Sequence, residues 1–103
     1  MSRMYNPAHP GRVLKDILEG ADITISKFAK HLGVTRVTIS RIINGSAGVT
    51  PVMSIKLAQA FGQPSLDIWF KMQAAHDFWQ AEQEAKQRAR IKTLLKPALK
   101  KAA

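Results

Sequence analysis

Two short helical segments separated by a tight turn constrain the fold of this chain more than any other feature. Residues 24–32 and 35–44 each begin with threonine, which caps helix N-termini, and carry apolar residues at helical spacing. Gly33 lies between them and can adopt the positive φ that a tight turn needs. Ala29 permits close approach of the helices, and Ile39 anchors the second one. Residues 24–45 therefore predict a helix-turn-helix, although an ordinary corner between two helices has a similar pattern.

The same criteria predict five helices and no strand. The first helix starts at Pro10 and ends at Gly20, because proline suits the first helical position and glycine a helix end. The fourth has Thr50 as its cap and stops before Gly62. The core-facing residues predicted on the first four helices are Val13, Leu14, Ile17, Leu18, Ile25, Phe28, Ala29, Leu32, Ile39, Ile42, Ile43, Ile55, Ala58 and Phe61.

The fifth predicted helix is long, from Leu66, with Ser65 as its cap, to about Leu95, before Pro97. It has two apolar faces. The face predicted to close the core contains Leu66, Trp69, Phe70 and Gln73. The second face, a candidate dimer interface, contains Ile68, Met72, Ala75, His76 and Trp79. A helix buries one stripe in its own domain, so the second stripe favours a homodimer. The alternative is that it packs beneath the chain's own termini.

The charge distribution favours a polyanionic partner. The net charge is +9, from 16 basic and 7 acidic residues, and no acid occurs between Asp22 and Asp67. From Lys86 onward there are seven basic residues and no acid. We therefore expect a domain over residues 1–85 and a basic C-terminal extension of the last helix over residues 86–103, frayed at its end. This extension could contact DNA backbone or a protein partner, or be a solvated terminus.

The third helix, at the centre of the acid-free window, offers a polar face suited to double-stranded DNA. An α-helix fits the major groove, where arginine can form two hydrogen bonds with guanine and small apolar groups contact thymine methyls. The predicted base contacts are Arg36, Val37, Thr38, Ser40 and Arg41. Helix N-termini and caps suit phosphates. The predicted phosphate contacts are Ser26, Lys27, Thr35 and Asn44.

Several function classes are not supported. The chain has no cysteine and three histidines without metal-ligand spacing, and it contains no glycine-rich phosphate loop or obvious acid pair. We therefore expect no enzyme activity, metal or cofactor. No apolar run approaches the ~20 residues of a membrane span, and the first residues lack a signal peptide's apolar core. The expected location is the cytoplasm, with the protein at the nucleoid when bound to DNA.

Three segments, HPGRVL, ISKFAKHLGVTRVTISRIINGSAGVTPVMSIKLAQAFG and IWFKMQAAHDF, resemble the HigA-type antitoxins of the Xre helix-turn-helix family. The more specific part of the resemblance is the His-Pro-Gly start together with the pattern of Trp69, Gln73 and Asp77. It implies a lambda-repressor-like domain, a homodimer bound to a palindromic operator, autorepression, and neutralisation of a HigB-type mRNA endonuclease. The alternatives are an Xre-type regulator without a toxin partner and a helical protein-interaction module.

Overall fold

A computed structural model of the protein describes residues 6–95, which contain five α-helices and no strand. The helices are α1 (Pro10–Gly20), α2 (Ile25–Leu32), α3 (Arg36–Ile43), α4 (Pro51–Ala60) and α5 (Ile68–Ala85). The predicted all-α fold of five helices is confirmed.

Three threonines start α2, α3 and α4 as predicted. The side-chain oxygens of Thr24, Thr35 and Thr50 each accept a hydrogen bond from the backbone N–H three residues later, at 3.1 to 3.2 Å. Each bond satisfies one of the N–H groups that a helix start leaves without a partner. Gly33 ends α2 with a φ of 76°, and the N–H of Val34 returns to the carbonyl of Ala29 at 3.0 Å. The turn between α2 and α3 is therefore determined locally.

The start of α1 is held against the end of α3. His9 Nδ1 accepts a hydrogen bond from the N–H of Gly11 at 2.9 Å, and Pro10 occupies the first helical position. Gly11 is buried, and a Cβ atom there would overlap the carbonyl oxygen of Ile42, near the end of α3. The His-Pro-Gly sequence therefore combines a cap, a helix start and a close contact with α3.

The core lies between all five helices. Its buried apolar residues are Leu14, Leu18, Phe28, Ala29, Leu32, Ile39, Ile42, Val49, Met53, Leu57, Ala58 and Trp69. Trp69, on α5, is 1% exposed and donates its indole N–H to Gln63 Oε1 at 2.7 Å. Its ring lies 5.7 Å from that of Phe61, which stacks on Phe28 at 5.4 Å. This aromatic row joins α2, the end of α4 and α5.

Gln73 joins α5 to the loop that follows α3. Its side-chain oxygen accepts the N–H of Val49 at 3.0 Å, and its amide group donates to Asp77 Oδ1 at 3.0 Å. Both contacts constrain a buried glutamine, which cannot reach water to satisfy its polar atoms. Gln73, itself held by Asp77 one turn further along α5, thus positions the α3–α4 loop.

The predicted extent of α5 is wrong at both ends. The helix begins at Ile68 instead of Leu66, and Asp67 at the cap position forms no capping bond with its side chain. The helix ends at Ala85 instead of near Leu95. Residues 86–95 are exposed throughout, so no tertiary packing stabilises a helix there, and a short helix without packing is marginal in water. The predicted fraying of residues 96–103 lies outside the described residues.

Three residues predicted to face the core are exposed instead. They are Ile55 on α4, Leu66 just before α5, and Phe70 in the first turn of α5, each exposed by about 40%. On α4 the buried residues are Met53, Ser54, Leu57 and Ala58. Ser54 bonds to both the carbonyl of Leu66 and the N–H of Phe70. This polar bond replaces the apolar packing that the sequence predicted at the α4–α5 contact.

Candidate nucleic-acid interface

Helix α3 presents one buried and one exposed face. Ile39 is fully buried and Ile42 is 3% exposed, whereas Arg36, Val37 and Arg41 are exposed. Val37 is 62% exposed, which is high for an apolar side chain. The division between a core face and a surface face agrees with the sequence analysis, and the surface face is free to meet a ligand.

Thr38 and Ser40, the other two candidate base contacts, are half-buried. The Thr38 hydroxyl lies 2.9 Å from that of Thr35, and the Thr38 N–H donates to Thr35 Oγ1 at 3.2 Å. The hydroxyl of Thr38 therefore belongs to the capping arrangement of α3. Its methyl group, which lacks that engagement, is the part suited to a base contact.

Three of the four candidate phosphate contacts lie at helix starts. Ser26 and Lys27 are on the first turn of α2, and Thr35 caps α3, all with exposed side chains. Asn44 lies at the opposite end, where it follows the last residue of α3. The first group presents side chains beside the partial positive charge of a helix N-terminus, which attracts anions. Asn44, at the C-terminal end of α3, lacks the attraction of a helix N-terminus.

The positive charges of this surface are not neutralised within the described part of the chain. Lys27, Arg36 and Arg41 form no ion pair with any of residues 6–95. No acidic residue occurs between Asp22 and Asp67 in the sequence. The arginine and lysine groups are therefore available to a polyanion.

The five candidate dimer residues have different surroundings in the single chain. Ile68 is 37% exposed, Met72 packs against the core, and Ala75 and Trp79 are half-buried. His76 Nδ1 donates to the carbonyl of Pro7 at 3.1 Å. Met72 and His76 therefore have intramolecular contacts, in line with the alternative of packing under the N-terminal residues, while Ile68 is open at the surface.

The sequence analysis missed the exposure of four apolar residues on α4 and around the start of α5. They are Val52, Ile55, Leu66 and Phe70, and we refer to them as the α4–α5 patch. Ser54 connects its two halves through the bonds to residues 66 and 70. The signal was present in the sequence, since α4 carries apolar residues on more than one side, but periodicity assigned Ile55 and Phe70 to the core.

His9 and His76 form a pair beside the end of α3. Their rings are 4.8 Å apart in an edge-to-face arrangement, and the His9 ring also approaches Gly45, the turn residue after α3. Burial lowers the pKa of His9 below its usual value of 6.5, and the charge of His76 lowers it further, whereas the Asp77 carboxylate raises it. Neutral His9 is the form that caps α1, because Nδ1 must accept the N–H of Gly11.

We expect His9 to make the protein less stable in mild acid. A folded-state pKa below the unfolded value means that the unfolded chain binds more protons, so stability is complete above the usual pKa and falls as pH drops through the folded pKa. Between about pH 7 and pH 5, the melting temperature of His9→Ser should fall less than that of the wild type. The serine retains a capping hydroxyl but has no imidazole to protonate. His31→Ser removes an exposed imidazole elsewhere and should keep the wild-type response. Equal responses of all three proteins would contradict the role of His9.

The described residues offer no site for a metal ion and no membrane-spanning helix. Among residues 6–95, no three side chains of His, Asp or Glu come together in a way that could hold a metal. None of the helices in this range is both long and apolar enough to cross a bilayer.

Comparison with known proteins gives consistent results. A helix-turn-helix family model (HTH_3) matches residues 14–72. Virulence-associated protein A' of Dichelobacter nodosus is 39% identical over 89 residues, which cover 86% of this chain and 77% of that protein. Antitoxin HigA-1 of Vibrio cholerae is 36% identical over 86 residues, covering 82% of this chain and 80% of that protein.

Solved structures share the fold as well. The antitoxin HigA of Pseudomonas aeruginosa, solved with the higBA promoter, superposes with a TM-score of 0.75 at 28% identity. The match covers 86% of this chain and 99% of that one. The family model spans more than half of this chain, and it includes α2, the turn and α3. The chain therefore belongs to the Xre-type helix-turn-helix family, whose members are DNA-binding regulators and antitoxins and not enzymes.

Proposed function

We propose that this protein is a DNA-binding antitoxin that binds a palindromic operator as a homodimer, represses its own operon, and neutralises a HigB-type mRNA endonuclease. The observation that carries the DNA-binding part is the exposed face of α3, whose two arginines form no ion pair with any of residues 6–95 and lie in an acid-free segment. The toxin part rests on the relatives, one of which is named antitoxin HigA-1. The proposed place of action is the bacterial cytoplasm, at the nucleoid when the operator is bound.

Helical geometry supports a continuous contact surface on α3. Successive residues differ by about 100° around a helix axis, so Arg36 and Arg41 are ~140° apart. Ser40, Asn44 and Val37 fall within this arc, at about 40°, 80° and 100° from Arg36. The arginines and the residues between them therefore share one side of α3. A helix side of this kind fits the major groove, where arginine can reach guanine.

The experiment is a binding titration of the purified protein with the DNA upstream of its own gene, against scrambled DNA of equal length. Preferential binding of two chains per palindromic site would support the repressor. Binding without preference would refute it. Co-expression with the neighbouring gene then tests the toxin: a stable complex with a small ribonuclease supports the antitoxin. Operator binding without such a complex leaves an Xre-type regulator that lacks a toxin partner.

The Lys27 contact has its own signature. Lys27→Gln should weaken binding equally for operator and scrambled DNA, because a phosphate contact carries no sequence information. The slope of log K against log salt should fall by about 0.9, the value for one phosphate neutralised. Lys71→Gln, an exposed lysine of α5 paired with Asp67, is the matched control and should leave the slope unchanged. A loss confined to operator DNA would assign Lys27 to base contacts instead.

The dimer proposal uses the α5 stripe of Ile68, Met72, Ala75, His76 and Trp79, with the α4–α5 patch as a second candidate surface. Exposed apolar surface of this kind often marks protein contacts. Trp79→Glu should convert the dimer to a monomer if the α5 stripe forms the centre of the dimer interface. Phe70→Glu should do so if the α4–α5 patch forms that centre. Sedimentation equilibrium measures both. A dimer that survives both substitutions, or a monomeric wild type, would contradict the proposal.

A further inference from the structure

An open cavity on the surface of α2 and the end of α4 lies outside the proposed base contacts. It has a volume of about 500 Å³ and is lined by Ile23, Lys27, Phe28, Lys30, His31, Ala60 and Phe61. This size is within the range of small-molecule sites, which are mostly apolar with a few polar groups. A smaller cavity of about 230 Å³ adjoins it at His31 and Ala60 and reaches Lys56.

The cavity combines an apolar floor with a basic rim. The floor contains Phe28 and Phe61, whose rings stack with only 11° between their planes, together with Ile23 and Ala60. The rim carries Lys27, Lys30 and His31, all exposed. Neither lysine forms an ion pair with any of residues 6–95. Every ionisable group that lines the cavity is basic.

We propose that this cavity binds a small organic anion with an apolar body and a carboxylate head. The stacked rings and Ile23 would cover the apolar body, and the ammonium groups of Lys27 and Lys30 with the imidazole of His31 would hold the carboxylate. An inorganic anion uses only the rim and leaves the floor in water. A neutral apolar molecule uses only the floor and leaves the lysines unpaired. Only a molecule with both parts satisfies both surfaces.

The site also suggests regulation, in a step that rests on the proposed function. Lys27 lines the cavity and is a proposed phosphate contact. A carboxylate that engages Lys27 competes with DNA for the same ammonium group. Binding of the organic anion therefore weakens operator binding, and operator binding weakens the ligand by the same factor.

The test is a titration of the ¹⁵N-labelled full chain with 4-phenylbutyrate, followed by two-dimensional NMR. Saturable shifts of the amides of Ile23, Phe28 and Phe61 are expected. The neutral amide 4-phenylbutyramide should bind at least about tenfold more weakly, because it loses the charged hydrogen bonds to the rim. Inorganic phosphate should also bind at least about tenfold more weakly, because it loses the apolar contact with the floor. Equal affinity for the neutral amide or for phosphate would overturn the proposal, as would the absence of saturable binding at millimolar phenylbutyrate.

Two variants and a control locate the site. Ala60→Leu fills the cavity, and Lys30→Glu reverses one rim charge; both should abolish phenylbutyrate binding. Lys71→Glu on α5 should bind as the wild type does. The NMR spectrum of each variant shows whether it is folded, and a folded Ala60→Leu that binds normally would overturn the proposal. Operator binding is measured separately, on the ligand-free protein. If the ligand-free protein does not bind the operator, the repressor proposal is refuted, but the result of the phenylbutyrate titration still decides the cavity proposal.

Discussion

Alanine substitution of Arg36 or Arg41 is expected to reduce operator affinity by about ten- to hundredfold each. A good bidentate contact between arginine and guanine contributes ~1–3 kcal/mol of discrimination, and ~1.4 kcal/mol corresponds to a factor of ten. The loss should be smaller on scrambled DNA, where no base contact is made. The ratio of operator affinity to scrambled-DNA affinity is therefore the quantity that changes most.

The substitutions should leave the fold intact. Both side chains are exposed on α3, and neither forms an ion pair with residues 6–95. Alanine is at least as good a helix former as arginine, so the helix itself is not weakened. The melting temperature should be close to that of the wild type, which separates lost contacts from lost structure.

Fluorescence anisotropy with labelled operator and scrambled duplexes, over a salt series, measures the effect. Arg12→Ala is the matched control, because it removes one exposed positive charge from α1 instead of α3. If Arg36→Ala and Arg41→Ala bind the operator as tightly as Arg12→Ala does, α3 is a structural helix. The protein-interaction module would then be the better account of the chain.

Local chemistry explains which parts of the fold the sequence could predict. A threonine cap, a proline in the first turn and a glycine of positive φ act over three or four residues, so their patterns are visible in the sequence. Thr24, Thr35, Thr50 and Gly33 all have the predicted roles. The exposed face of α3 was predictable for the same reason, since its apolar and polar residues separate cleanly around the helix.

Helices α4 and α5 show where this approach fails. α4 is apolar on several sides, so periodicity could not decide between Ile55 and its neighbours, and packing buries Met53 and Leu57 instead. On α5, Phe70 is 42% exposed although it follows the fully buried Trp69. The deciding interaction is the bond from Ser54 to the start of α5, which joins residues 12 and 16 positions apart. No local pattern predicts such a bond.

The candidate site depends on similar distant contacts. The sequence indicated which side chains α3 exposes and that Ile39 anchors it, but not how α3 and the loop after it contact α1 and α5. Gly11, against Ile42, and Gln73, against Val49, make those contacts. Both residues lie in segments that resemble the HigA-type antitoxins, and the structure gives a physical reason why each position carries the residue it does. Neither reason follows from composition or spacing.

Gly11→Ala is expected to lower the free energy of unfolding by about 1–3 kcal/mol or more, as overpacking in a dense interior commonly does. The new Cβ would overlap the carbonyl oxygen of Ile42 and approach His9 Nδ1 to 2.9 Å. The oxygen belongs to the backbone of α3, so it cannot turn aside as a side chain would. α1 must move away from α3, which weakens the His9 cap and shifts the exposed face of α3.

Gly20→Ala is the control for this substitution. Gly20 is the last residue of α1, and a Cβ there has no neighbour within 4 Å. Because alanine favours the helix over glycine by up to ~1 kcal/mol, this variant should be unchanged or slightly more stable. Urea unfolding followed by circular dichroism gives both values from the midpoint and slope. If Gly11→Ala is as stable as Gly20→Ala, the contact between α1 and α3 does not determine where α3 lies. If Gly11→Ala is destabilised yet still folded at low urea, its operator affinity should fall too, although α3 itself carries no substitution.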